Sequence, residues 1–304
     1  MIKIKNLSKT YKSGTTANKN ISLKISQGDI IGVVGANGAG KTTLVRQIVG
    51  LSRPTTGEIT IDNYSHNEGR KHLTSRIAFA NQNATLLDAQ TVYEVIYYAG
   101  VFRGLKATIA SKQANELVEY FKLCDYKGCR LMHLSGGQRK LTMLSAAFVG
   151  HYPIIVLDEP TNDLDPINRV QLWNLIKLYN STYGTTFVIV SHNLTELETI
   201  VNKVVIMHNG FVKDFDDLQV LKGKYNEGYQ ISIKCEYEDF EAISNSINVP
   251  FKILSQNEIV LESDDDDWLD IANNILPMIS AFNIEIRIYR STLLDIYQKT
   301  HEGN

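Results

Sequence analysis

The residues most suited to chemistry lie close to the start of the chain. Gly35-Ala-Asn-Gly-Ala-Gly-Lys-Thr42 spaces glycines at Gly35, Gly38 and Gly40, with Asn37 and Ala39 between them, and ends in a lysine and a threonine. Glycines let successive backbone N–H groups turn toward one point, and the helix-periodic stretch Thr43 to Val49 adds the positive end of its dipole. Such a turn binds a polyphosphate. Lys41 would reach the β- and γ-phosphates, and the Thr42 hydroxyl would ligate Mg2+. A tight strand-to-helix turn accounts for the glycines but leaves the Lys-Thr pair unexplained.

Two further motifs follow. Pro153-Ile-Ile-Val-Leu-Asp-Glu-Pro160 puts two carboxylates at the end of a four-residue apolar run, at the sheet edge where open parallel sheets bind ligands. Asp158 suits Mg2+, which keeps waters and takes few carboxylates. Glu159 suits a general base for water attacking the γ-phosphate. Leu134-Ser-Gly-Gly-Gln138 precedes a helical stretch, Arg139 to Val149, so a serine hydroxyl and free amides form a second phosphate-binding surface. One nucleotide does not need two such surfaces within one subunit.

With these three motifs in this order, the chain resembles the ATP-binding cassette (ABC) ATPases, whose signature is Leu-Ser-Gly-Gly-Gln and whose nucleotides are sandwiched between two subunits. The resemblance implies that Ser135, Gly137 and Gln138 face an ATP held by the other subunit's phosphate loop. It matches Tyr11 to the aromatic that stacks on adenine and Gln82 to the glutamine that contacts metal and water. Asp165, in Asn162-Asp-Leu-Asp165, matches the acidic residue of the loop that reaches across the dimer. His192 matches the switch histidine at the γ-phosphate. Taken alone, Tyr11 also reads as a half-buried strand tyrosine and His192 as a neutral strand cap.

The elements that must position these residues follow from periodicity. Asp29–Val34, Pro153–Leu157 and Thr186–Val190 read as strands buried on both faces. A largely helical stretch, about 86–150, is inserted between them. The expected fold is α/β: a P-loop NTPase core of the ABC type over 1–222 with an inserted helical subdomain. A polar stretch at 223–228 reads as a linker, and 229–304 as a small C-terminal α+β domain of ferredoxin-like βαββαβ order. The charge changes at the same place. From Tyr225 to Asn304 there are 5 basic and 15 acidic residues, leaving 26 basic and 18 acidic elsewhere. The run Asp264–Asp267 in the tail reads as a helix start more readily than as a cation site.

Composition narrows the function. Of 304 residues, 43% are hydrophobic and 21% charged, with a net charge of −2; this excludes a disordered chain and one held to nucleic acid by bulk charge. No apolar run suffices to cross a bilayer, and Met1–Leu7 enters a strand pattern with no secretory signal. Cys124, Cys129 and Cys235 suggest neither a disulfide framework nor a zinc site. The resulting expectation is an ATP-hydrolysing subunit with ATP and Mg2+, at the cytoplasmic face of a membrane. Its partners would be separate transmembrane permease subunits and a second ATPase subunit, identical or paralogous, with no nucleic acid. The stretch from Thr91–Glu94 to Val101–Leu105 resembles the helical-insert start of type-2 ABC exporters, and Ser291–Tyr297 the end of the tail domain many of them carry, which implies export of a drug, peptide or lipid-like cargo. A soluble cassette ATPase acting on ribosomes or DNA is the alternative, although it would usually carry two cassettes or a coiled-coil insert.

Overall fold

The computed structural model describes residues 2–65, 75–81, 88–225, 229–247, 249–263, 268–277, 282–290 and 292–302. Gln82 and the run Asp264–Asp267 lie outside the described residues. Two compact units divide the chain, Met1–Asp216 and Asp217–Asn304.

The first unit opens with β1 (Ile2–Thr10) and β2 (Thr16–Ile25). Their alternation is amphipathic: Ile2, Ile4, Ile21, Leu23 and Ile25 are buried, while Lys3, Lys5, Ser22 and Lys24 face water. After β3 (Ile30–Gly35) and α1 (Lys41–Ile48) come β4 (Thr56–Ile61) and β5 (Tyr64–Ser65), which complete an antiparallel sheet of order β2-β1-β4-β5.

The insert begins after β6 (Ile77–Ala80) and contains α2 (Val92–Phe102), α3 (Ala107–Tyr120) and α4 (Gly136–Phe148). Local sequence sets its helix starts. Thr91 and Glu94 form a capping box on α2, and Ser135 and Gln138 form another on α4.

The core sheet then resumes with β7 (Ile154–Asp158), α5 (Pro166–Tyr183), β8 (Thr186–Val190), α6 (Leu194–Glu198), β9 (Lys203–His208) and β10 (Phe211–Asp217). Asp165 caps α5, Pro166 occupies its first turn, and Gly184 ends it with a left-handed backbone. The sheet order is β10-β9-β3-β8-β7-β6. Its registers β9/β3, β3/β8, β8/β7 and β7/β6 are parallel. Every residue of β7 and β8 is buried, which explains the apolar runs Ile154–Leu157 and Phe187–Val190; each such side chain contributes about 1.5–3 kcal/mol. Leu44, Val45 and Ile48 of α1 share one core with Ile2, Ile21 and Ile59 of the antiparallel sheet and with Val156 and Val188 of the parallel one. The helix that follows the phosphate loop is thus anchored by both sheets.

The second unit starts earlier than the composition implies. Residues 218–225 form a helix, α7 (Leu218–Tyr225), with Leu218 and Leu221 buried. The expected linker at 223–228 therefore begins inside a helix, and the boundary falls after Asp216, not after Lys222. Gly223 suggests a turn in the sequence, but a side chain built there would meet nothing within 4 Å. The glycine is a tolerated helix residue. Next come β11 (Tyr229–Cys235), α8 (Phe240–Ser246), β12 (Phe251–Ser255), β13 (Glu258–Ser263), α9 (Trp268–Ile275), β14 (Ile284–Arg290) and α10 (Leu293–Glu302). The antiparallel sheet order β12-β13-β11-β14 is that of a βαββαβ fold. Ile231, Ile233 and Cys235 pack with Ile243, Ile259, Leu261, Ala272 and Ile275 on its helical face. No helix among the described residues is long and apolar enough to cross a membrane.

Candidate nucleotide site

The parallel sheet order makes β3, β8 and β7 neighbours. The segments leaving their carboxyl ends are the glycine loop, Ser191–His192 and Asp158–Glu159, so three sequence-distant motifs share one edge. Between them lies a cavity of about 500 Å3, lined by Asn37, Gly38, Gly40, Lys41, Thr42 and Thr43 on one side and Glu159, Asn162 and His192 on the other.

The loop is built to approach a ligand through its backbone. Gly40 has φ 101°, and a Cβ there would sit 2.2 Å from the Ala17 carbonyl oxygen, so no other residue fits. Gly38 has φ 81° and faces open space. Gly40 precedes α1 without a side-chain cap, and the first turn of that helix holds no acidic residue. Its leading amides are therefore left for an anion. Gly35 and Ala36 offer their carbonyls to Lys41, whose Nζ donates to them at 2.7 and 3.0 Å. Burial depresses the Lys41 ammonium below the usual lysine range, against the opposing pull of the Glu159 and Asp158 carboxylates. Ala39, buried at the base of the loop, accepts from Gly210 N at 3.1 Å.

Asp158 is 1% exposed, and neither carboxylate oxygen has a hydrogen-bond partner among the described residues. Burial and the neighbouring Glu159 raise its pKa, while Arg46, Lys140 and the Thr42 hydroxyl pull it down. Thr42 therefore faces Asp158 without closing a hydrogen bond of ordinary geometry. Two orphaned, buried carboxylate oxygens beside a threonine hydroxyl suit a hard divalent cation with oxygen ligands, so these residues fit Mg2+.

Glu159 sits in a left-handed backbone conformation, φ 50°. Its N–H donates to Val190 O at 2.9 Å, and its carbonyl accepts from Lys140 Nζ at 2.8 Å. Its carboxylate accepts from His192 Nδ1 at 2.8 Å. Lys140 carries no signal in the sequence: it lies past the signature pentapeptide and meets Glu159 only through the fold. Asn162, expected in the cross-dimer loop, also lines the cavity.

Tyr11, Ser135, Gly137, Gln138 and Asp165 are not among the residues that line the cavity. The Tyr11 hydroxyl shares a 3.2 Å hydrogen bond with Thr43 Oγ1, and its ring lies under Lys9 Nζ. Ser135 and Gln138 bond to each other: Ser135 Oγ accepts from Gln138 N at 3.3 Å and Gln138 Oε1 from Ser135 N at 3.0 Å. Gly137 abuts the loop after β7, where a Cβ would come within 2.9 Å of Asp163 O. Asp165 accepts from Asn168 N at 3.0 Å, and this cap holds its carboxyl below the usual range.

A family model described as ABC transporter matches residues 18–162. The methionine import ATP-binding protein MetN 1 of Bacillus thuringiensis subsp. konkukian is 32% identical over 245 residues, which span 77% of this chain and 72% of the relative. The chain belongs to the ATP-binding cassette family. MetN of Carboxydothermus hydrogenoformans is 34% identical over 70% of this chain, and phospholipid-transporting ATPase ABCA3 of Homo sapiens 29% over 80%. This cassette spans 65% of the former and 14% of the latter. Among solved structures, the dimeric cassette MJ0796 bound to ADP and Pi is 30% identical with a TM-score of 0.67, covering 72% of this chain and 99% of that one.

Proposed function

We propose that this cassette is the ATP-binding and ATP-hydrolysing subunit of a transporter and works with separate transmembrane chains at the cytoplasmic face of a membrane. The observation that carries the reading is the convergence of Lys41, the Asp158–Glu159 pair and His192 on one sheet edge from three separate segments, with Lys41, Glu159 and His192 lining one cavity. In this role Lys41 leaves the Gly35 and Ala36 carbonyls for the β- and γ-phosphates, and the amides of the loop and of α1 cradle the phosphate oxygens. Mg2+, held by Thr42 and Asp158 and by Gln82 as the resemblance implies, would supply charge neutralisation on the phosphates. Glu159 takes the proton from the attacking water, and His192 orients that carboxylate. Ser135, Gly137, Gln138 and Asp165 complete the site of a second copy or a paralogue. In the single chain the polar side chains among them are occupied by local caps, so closure of the dimer exchanges those bonds for bonds to nucleotide.

A second surface supports the permease reading. An apolar groove of about 460 Å3 on the helical insert is lined by Phe79, Val95, Tyr98, Phe102 and Met143, and Phe102 is 86% exposed. Apolar patches left open in this way mark surfaces for a partner. Export rests on the two exporter-like segments alone. The MetN relatives are named for import, so they withdraw support for that direction, and cargo and direction stay outside the proposal. Basal hydrolysis of ATP by the full chain, together with its recovery alongside multi-span proteins from detergent-solubilised membranes, tests the reading. A chain that neither hydrolyses ATP nor co-purifies with such proteins would defeat it.

A further inference from the structure

Lys140 is 8% exposed, although its neighbours on α4 that share its burial are apolar or small. Taking an ammonium out of water is costly, and an aliphatic chain of similar length would pack there at less cost. The structure shows what the charge holds. Its Nζ donates to the Glu159 carbonyl at 2.8 Å; burial holds the ammonium below the usual lysine range, with the carboxylates of Asp163, Asp158 and Glu159 pulling the other way. Glu159 has a strained, left-handed backbone. One side of it is fixed by the N–H bond to Val190 O and the other by Lys140. The same helix touches the next loop through Gly137, packed against Asp163 O.

We propose that Lys140 is a positioning residue for hydrolysis: it pins the backbone of Glu159, so the aim of that carboxylate depends on α4, the helix that carries Ser135 at its start. The inference rests on the proposed role of Glu159 as general base. It joins the surface offered to the second copy's nucleotide to the base acting on the chain's own. Lys140 is not among the residues that line the nucleotide cavity, and its Nζ is directed to the Glu159 carbonyl. Its loss therefore misdirects the base and leaves binding alone.

The test is steady-state hydrolysis and Mg-ATP titration on the full chain with Lys140→Met, which keeps the length and removes the donor. The expected result is a fall in kcat of about tenfold, with KM and Kd changed by no more than about twofold. In a Glu159→Gln background the same substitution should cause no further loss. An unchanged kcat, a parallel loss of affinity, or a second tenfold loss on top of Glu159→Gln would overturn the proposal. Should Lys140→Met not fold, as judged by its thermal melt, Lys140→Gln carries the same test. Normal turnover by Glu159→Gln alone would instead overturn the general-base reading, which separates the two failures.

Discussion

The Glu159 carboxylate accepts the His192 Nδ1–H at 2.8 Å, and the same oxygen also receives the His192 backbone N–H at 3.4 Å. The side chain of the base is thus aimed by a residue just past β8, while its backbone is held from α4 and β8. With Nδ1 committed as donor, a neutral ring turns Nε2 outward as an acceptor, so meeting a phosphate oxygen requires a protonated ring or a turn of the side chain.

Glu159→Gln should bind ATP yet lose about a hundred- to ten-thousandfold in turnover, the usual range for removing a general base. His192→Ala should lose less, and combining the two should cost little more than Glu159→Gln alone, because both act through one carboxylate. Steady-state phosphate release measures all three. Equal, additive losses would show that His192 acts independently of Glu159.

Lys41→Ala should weaken nucleotide binding itself. Charge-assisted hydrogen bonds of this kind contribute about 1.5–3 kcal/mol, or roughly ten- to a hundredfold in Kd. A binding titration checks it, and an unchanged affinity would remove Lys41 from the phosphate site.

The raised pKa of Asp158 has a definite sign. Its folded form holds a proton more tightly than the unfolded chain does, so the metal-free protein loses stability as pH rises from the ordinary aspartate value through the raised one. Mg2+ needs the deprotonated carboxylate and must displace that proton. The gain in melting temperature from Mg-ATP should therefore grow as pH rises above the ordinary aspartate value and through the raised one, and Asp158→Asn should flatten the trend. A gain independent of pH in the unaltered protein would remove Asp158 from the metal site.

Gly40→Ala should fail on two counts, the left-handed φ and the 2.2 Å approach of its Cβ to Ala17 O. Strain of this type costs about 1–3 kcal/mol. A lower melting temperature together with weaker nucleotide binding is expected. A variant as stable and as tight as the parent would mean that the loop adopts another shape.

The phosphate loop, the Asp158–Glu159 pair and the signature pentapeptide are legible in the sequence because each is a short, local device with its own turn chemistry. The alternation of β1 and the buried runs of β3, β7 and β8 are legible for the same reason. Three features are not. The helix over 218–225 has only Leu218 and Leu221 on its buried side among lysines and a glycine, a pattern shared with a polar linker. Lys140 reads as an ordinary surface lysine until the fold brings α4 against the end of β7. The hydrogen bond between Tyr11 and Thr43 is hidden likewise, since nothing in either residue names the other.

The left-handed backbone at Glu159 also bears on descent. Glycine or asparagine would occupy that conformation with less strain, by roughly 1–2 kcal/mol. A copy of this gene released from hydrolysis would thus gain a sturdier fold by discarding its acid. Degenerate sister subunits are expected to drift at this position first, toward the small or amide residues that the backbone itself prefers.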